Sequence, residues 1–128
     1  MALISRKTGE QPVADPEGAC CGDLQPAALN VGTSAKTAET LRALGDPTRL
    51  GIMSLLANQA GPICVCDIVA NFAQTQPTIS HHLRILREAG LVDTMRRGTW
   101  AYYAIRPGAL DTLIGALGTL RAAGDRRD

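Results

Sequence analysis

The 128-residue sequence has few aromatic side chains, no strong excess of charge and no long apolar run. Aromatic residues make up 3% of the chain, so small aliphatic side chains must supply most of any core. The chain is 45% hydrophobic and 20% charged, the composition of an ordinary globular protein, which excludes a wholly disordered or collagen-like chain. No apolar run approaches the roughly 18 residues that a membrane-spanning helix needs. We therefore expect one globular domain without a membrane partner.

The first residues, Met1 to Lys7, contain too short an apolar stretch for a signal peptide, and we expect a cytoplasmic protein. In that compartment the four cysteines favour thiolate chemistry over structural disulfides. They form two close pairs, Cys20-Cys21 and Cys64-Val65-Cys66.

The net charge of +1 is unevenly distributed along the chain. Residues 1–75 carry five basic and seven acidic side chains, and residues 107–128 carry three of each. Residues 76–106 carry five arginines against two acidic residues, a local balance of +3. One basic block in a nearly neutral chain is typical of a localised phosphate-contacting surface.

Periodicity and turn signals predict an irregular N-terminal arm over residues 1–33, one folded domain over 34–122 and a short tail over 123–128. Within the domain they predict four helices, a β-hairpin and a final helix that begins at Pro107. The predicted elements are helices 34–44, 48–58, 63–73 and 76–89, and strands 91–96 and 99–105. This order is mainly α with a β-hairpin, an α+β winged helix–turn–helix with one extra helix at each end.

The final helix carries an apolar stripe that one small core cannot cover. Its members recur at helical spacing: Leu110, Leu113, Ile114, Leu117 and Leu120. Pairing of the first and last helices across a two-fold axis would bury it, so the sequence predicts a homodimer through these helices.

Helix 76–89 has two chemically distinct faces when its residues are placed at about 100° intervals. Ile79, Leu83 and Leu86 define the core side. The polar residues away from the core, which could bond base edges and phosphates, are Gln76, Thr78, Ser80, His81 and Arg84. A solvated amphipathic helix without DNA contacts is the alternative. His82 leans back towards the core, so we expect a hydrogen-bonded, half-buried histidine rather than a metal pair with its neighbour.

The predicted hairpin tip is the sequence Arg96-Arg97-Gly98, which could reach a minor groove or its phosphates. Three aromatic residues follow: Trp100, Tyr102 and Tyr103. They could form a stacking platform for single-stranded nucleic acid, but we favour packing against the core.

Cys64 and Cys66 would point about 200° apart within a helix, so they converge only if Cys64 lies at or before the helix start. Pro62 just upstream allows that, and the helix N-terminus would lower the pKa of a thiol placed there. Two inert buried cysteines are the alternative for this pair. For Cys20-Cys21 the alternative is an incidental pair of exposed thiols.

Four motifs together resemble the ArsR/SmtB family of metal-sensing repressors. They are residues 41–50 (LRALGDPTRL), 64–68 (CVCDI), 76–83 (QPTISHHL) and 97–103 (RGTWAYY). The resemblance covers about residues 36–120. It implies a winged helix–turn–helix homodimer that binds double-stranded, palindromic operator DNA and leaves it when metal binds.

The resemblance further implies an inducer site made of Cys20 and Cys21 with Cys64 or Cys66. Soft thiolate ligands favour arsenite, antimonite, cadmium, lead or copper(I). Arsenite with three thiolates is neutral, whereas Cd²⁺ with four leaves a net charge of −2 beside several carboxylates, so we prefer arsenite or antimonite over Cd²⁺ or Pb²⁺. The zinc and nickel–cobalt sensors of the family place His and Asp on the last helix, whereas residues 107–121 contain Asp111 but no histidine, so we expect that site to be absent.

Two other function classes involve the same thiols. A thiol oxidoreductase or arsenate-reducing enzyme would need an anion-binding loop before a cysteine or a βαβ unit around Cys-x-x-Cys, and the sequence predicts neither. We therefore expect no enzyme activity and no organic cofactor. A repressor that senses oxidants by forming disulfides stays open as an alternative to metalloid sensing.

Overall fold

The computed structural model describes residues 22–126, which form five helices and three short strands. In chain order they are α1 (Val31–Leu44), α2 (Pro47–Ala57), β1 (Ile63–Cys64), α3 (Val65–Ala70), α4 (Gln76–Glu88), β2 (Val92–Arg97), β3 (Trp100–Ile105) and α5 (Asp111–Asp125). Helices α3 and α4 with the turn between them make the helix–turn–helix, and β2 and β3 make the wing. The predicted winged helix–turn–helix is therefore confirmed. Among the described residues no helix is long and apolar enough to cross a membrane.

Side-chain caps explain where the first two helices begin. Asn30 accepts a hydrogen bond from the Thr33 amide, so α1 begins at Val31 rather than at Ser34 as predicted. Asp46 accepts from the Thr48 and Arg49 amides at 2.9 and 3.1 Å, and Pro47 occupies the first position of α2, where no amide proton is needed.

The predicted helix 63–73 was wrong at both ends. Ile63 and Cys64 form a strand that pairs antiparallel with β3, opposite Tyr103 and Tyr102. This pairing gives a three-stranded sheet of order β1-β3-β2 and satisfies backbone groups that a lone hairpin would leave open. Only residues 65–70 are helical, and the chain then turns towards α4.

The last helix begins later than predicted. Residues 107–110 form turns instead of a first helical turn, and Gly108 adopts a φ of +74°, which is left-handed and incompatible with a helix. Helix α5 then continues to Asp125, into the segment predicted as a tail.

The core lies between α2, the helix–turn–helix and the base of the wing. Its fully buried large side chains are Ile52, Ile68, Ile79, Leu83, Leu86, Leu91 and Val92. On α2 Met53 and Leu56 are buried, whereas Leu50 is 55% exposed, because the buried face of this helix is centred on Ile52 and Met53. Helix α1 packs against α5 at the side of this core.

Candidate nucleic-acid interface and thiol pair

Helix α4 presents the face that its sequence pattern predicts. Ile79, Leu83 and Leu86 are completely buried, which fixes the rotation of the helix about its axis. On the outer side Gln76, Thr78, His81 and Arg84 are exposed and Ser80 is half-buried. The Thr75 hydroxyl accepts the Thr78 amide at 3.4 Å and caps the start of the helix.

The outer face of α4 and the wing meet in one shallow groove. The residues that line it are Pro77, Ser80, His81, Arg84, Arg87 and Tyr103. Arg87 was not among the predicted contacts, and Tyr103 was expected to pack against the core rather than to line a groove beside α4. Arg87 could have been found from its spacing, since it follows Arg84 by one helical turn. Tyr103 reaches the groove only through the folding of β3 beside α4, which no local signal reveals.

Two groove side chains are paired in the free protein. Arg84 Nη2 lies 3.1 Å from His81 Nδ1, and both side chains are exposed. A guanidinium can only donate, so His81 accepts through Nδ1. This leaves further guanidinium donors and His81 Nε2 open to the solvent side.

The wing turns at Gly98, whose φ of +64° is accessible to glycine at little cost. Arg97 lies over the ring of Tyr102, with its guanidinium carbon 4.9 Å from the ring centroid, and Arg96 donates to the Thr99 carbonyl at 3.4 Å. The tyrosines pack against the core as predicted, but that prediction was wrong for Trp100, which is 51% exposed.

The thiols of Cys64 and Cys66 converge. Cys64 is the N-cap of α3 in an extended conformation, which is the condition under which the sequence predicts convergence. The two Sγ atoms are 2.8 Å apart, with Cys64 buried and Cys66 exposed. The alternative of two inert buried cysteines is therefore wrong for Cys66.

The expected lowering of the thiol pKa is wrong for Cys66. Its hydrogen bond with Cys64 raises the pKa of the Cys66 thiol, with further contributions from partial desolvation and the nearby Asp67 carboxylate. Helix α3 has only six residues, so its dipole does little to offset these effects.

A complete metal site is not present within residues 22–126, where no group of three or more His, Cys, Asp or Glu side chains is placed to hold a metal ion. Cys64 and Cys66 supply two sulfur donors. The predicted ligands Cys20 and Cys21 lie outside the described residues.

His82 is half-buried and hydrogen-bonded, as predicted. Its side chain is 13% exposed, and its Nδ1 lies 3.1 Å from Nη1 of Arg49 on α2. The Asp46 carboxylate is 4.0 Å from the same nitrogen. Backbone hydrogen bonds from Arg49 and Thr48, together with the positive charge of the Arg49 guanidinium, hold the pKa of Asp46 below its usual range.

Comparison with known proteins agrees with this architecture. The family described as "Bacterial regulatory protein, arsR family" matches residues 46–94. An uncharacterised helix–turn–helix transcriptional regulator of Methanocaldococcus jannaschii is 53% identical over 70 residues, which are 55% of this chain and 78% of the relative. The arsenical resistance operon repressor of Escherichia coli K12 is 44% identical over 69 residues, 54% of this chain and 58% of that repressor.

One solved structure adds the assembly of a relative. The homodimeric winged helix–turn–helix DNA-binding domain of Mycobacterium bovis, a possible ArsR-family regulator, superposes with a TM-score of 0.55 at 26% identity. The match covers 82% of this chain and 93% of that domain. These proteins are transcriptional regulators and not enzymes. The chain belongs to the ArsR family of bacterial regulatory proteins.

Proposed function

We propose that this protein is a metalloid-responsive transcriptional repressor that binds operator DNA as a homodimer and releases it when arsenite or antimonite binds cysteine thiolates. The observation that carries the proposal is the 2.8 Å contact between the Sγ atoms of Cys64 and Cys66 at the start of the helix–turn–helix. The name of the E. coli relative, an arsenical resistance operon repressor, supports the same function.

The DNA contacts divide between α4 and the wing. The outer face of α4 enters the major groove, where Ser80, His81 and Arg84 contact base edges or phosphates, with Gln76 and Thr78 at its N-terminal end. The wing carries Arg96 and Arg97 to the adjacent minor groove or backbone. A regulator working this way acts in the cytoplasm, on double-stranded DNA.

Homodimerisation is supported by apolar side chains that the single chain leaves exposed. On α5, Ile114 is 62%, Leu117 48% and Leu120 50% exposed, and on α1 Leu41 is 45% exposed. These side chains lie on two helices that pack against each other within the protomer. Their burial against a second copy would stabilise the dimer by the hydrophobic effect.

The inducer site is completed by Cys20 and Cys21, from the same protomer or its partner. Two converging soft donors favour a thiophilic ion over a hard cation such as Mg²⁺. Three thiolates on arsenic(III) give a neutral adduct, which is compatible with the carboxylate of Asp67 beside Cys66. Cd²⁺ or Pb²⁺ is the alternative inducer of the same site.

A thiol–disulfide switch is the second candidate function, and the contact between the Cys64 and Cys66 thiols favours it. Hydrogen peroxide would take two electrons and two protons from two thiols, leaving one disulfide and two water molecules. The DNA-binding half of the account is the same for both functions.

Release of DNA under a phosphine reductant separates these functions. A phosphine keeps the thiols reduced and, unlike a dithiol, does not itself chelate arsenite. We expect arsenite to release a bound duplex under these conditions, and cadmium to be weaker at equal concentration. Release by hydrogen peroxide in a sample without phosphine or arsenite supports the disulfide switch. An arsenic-edge X-ray absorption spectrum of the arsenite-loaded protein counts the thiolates bound to arsenic.

A further inference from the structure

Arg49 connects the end of α1 to α4, which is the recognition helix of the proposed DNA complex. Its Nε donates to the Ala43 carbonyl at 2.6 Å, and its Nη2 reaches the Arg42 carbonyl at 3.4 Å. Both carbonyls belong to the last turn of α1, where the helix dipole is negative. The Arg42 carbonyl also accepts from the Gly45 amide at 3.4 Å, whereas the shorter bond from Arg49 goes to the Ala43 carbonyl. A guanidinium therefore stabilises this end of α1 by both hydrogen bonding and charge.

The remaining arm of the same guanidinium contacts α4. Arg49 Nη1 lies 3.1 Å from His82 Nδ1, and the His82 side chain is only 13% exposed. Because arginine can only donate, His82 must present the Nδ1 lone pair, and its proton is then on Nε2. One planar cation thus bridges the last turn of α1 and α4, the helix whose outer face carries His81 and Arg84.

We infer that Arg49 and His82 are positioning residues that fix the orientation of α4 relative to α1 and thereby the separation of the two recognition helices in the dimer. The inference rests on the proposed DNA binding and on dimerisation through α1 and α5. Two half-sites of an operator lie about 34–36 Å apart, one turn of DNA, so small rotations of α4 misplace both reading helices. The buried side chains of Ile79, Leu83 and Leu86 hold α4 to the core whether or not the bridge is present.

The matched variants are His82→Asn and His82→Gln. The asparagine amide reaches about as far as Nδ1 and can supply an acceptor to Arg49, whereas the glutamine amide reaches about as far as Nε2 and cannot make the same contact. Arg49→Lys is a second test, since lysine keeps the positive charge near the α1 carbonyls but lacks the fork that reaches His82 at the same time.

The DNA probes come from a randomised duplex pool enriched with the wild-type protein. Three duplexes are compared: the enriched palindrome, the same sequence with one base pair inserted between half-sites, and a single half-site. We expect His82→Gln and Arg49→Lys to bind the palindrome about 3- to 10-fold more weakly, as expected for the loss of one hydrogen bond in a partly buried site. Half-site affinity should be unchanged, and discrimination against the inserted base pair should shrink.

We expect His82→Asn to keep the wild-type affinity for the palindrome and the wild-type discrimination against the inserted base pair. The inference is overturned if His82→Gln matches the wild type, or if His82→Asn loses as much as His82→Gln. It is also overturned if affinity for the half-site falls in parallel with the melting temperature, which is the result of general destabilisation. If the wild-type protein enriches no duplex, DNA binding itself is wrong and this inference fails with it. Failure of the inference alone leaves the proposed function standing, because release of DNA by arsenite is measured on the wild-type protein.

Discussion

Cys64 lies opposite Tyr102 in the antiparallel pairing of β1 with β3, so their side chains share one face of the sheet. Met95 lies opposite Tyr102 on the other neighbouring strand, and the guanidinium of Arg97 lies over the Tyr102 ring. A predicted inducer ligand and a predicted DNA-contacting arginine are therefore separated by one aromatic side chain. We expect a change at Cys64 to reach the wing by a route through Tyr102, the register partner of both Cys64 and Met95.

The single tryptophan of the chain can report on that route. Trp100 lies two residues before Tyr102, on the same face of β3, and is 51% exposed. We expect arsenite to change its emission in the wild type and much less in Tyr102→Leu. Tyr103→Leu is the matched control, because Tyr103 points to the opposite face and should preserve the response. Equal responses in both leucine variants would exclude a route through Tyr102.

The outer face of α4 should carry base discrimination. We expect Arg84→Ala and His81→Ala each to weaken binding of the enriched duplex by about 1–3 kcal/mol, the range of a lost base contact. The dimer should stay intact, since both side chains are exposed on the opposite side of α4 from its core contacts. Fluorescence anisotropy of labelled duplex measures the affinity, with Arg126→Ala as a control at the end of α5. Unchanged affinity in both α4 variants would remove this helix from the interface.

Asp46 should make stability depend on pH through its ionised form. Because its pKa is lowered in the folded state, its contribution is complete above the ordinary value of about 3.9 and is lost as the pH falls through the lowered value. Asp46→Asn keeps a capping oxygen but no charge. We expect the wild type to melt at a higher temperature than Asp46→Asn near neutral pH, and the difference to vanish in acid. A difference that grows as the pH falls would contradict this role.

Local signals were sufficient to predict much of the fold. The Asp46-Pro47 cap, the apolar period of α4 and the Arg97-Gly98 turn each depend on neighbouring residues, and the structure has α2, α4 and the wing at these places. Strand β1 could not be predicted, because two residues carry no periodicity and pair with a strand formed much later in the chain.

The same reason limited the prediction of the site. Convergence of the two thiols depends on one local condition, the N-cap position of Cys64, and this condition could be identified from the sequence. The bond from Arg49 to His82 joins residues 33 apart and follows only from the packing of α2 against α4. Tyr103 reaches the groove for an equally nonlocal reason.

The cysteines of the arm distinguish two versions of the inducer site. Replacement of Cys20 and Cys21 by serine should leave DNA binding unchanged but blunt release by arsenite, because a ligand shifts an equilibrium only by its differential affinity for the two states. Titration of the bound duplex with arsenite measures this. If the serine variant releases DNA at wild-type arsenite concentrations, Cys20 and Cys21 are not ligands, and the site consists of the Cys64 and Cys66 pair.

The most direct test of thiol-mediated induction compares the wild type with a Cys64→Ser, Cys66→Ser variant. Both proteins are bound to the enriched duplex under a phosphine reductant, and arsenite is added while anisotropy is recorded. A coupling of about 1–3 kcal/mol predicts that saturating arsenite weakens operator binding of the wild type roughly 5- to 150-fold. The serine variant should bind the duplex as tightly as the wild type and keep it when arsenite is added. Release of DNA from both proteins at the same arsenite concentration would contradict the account.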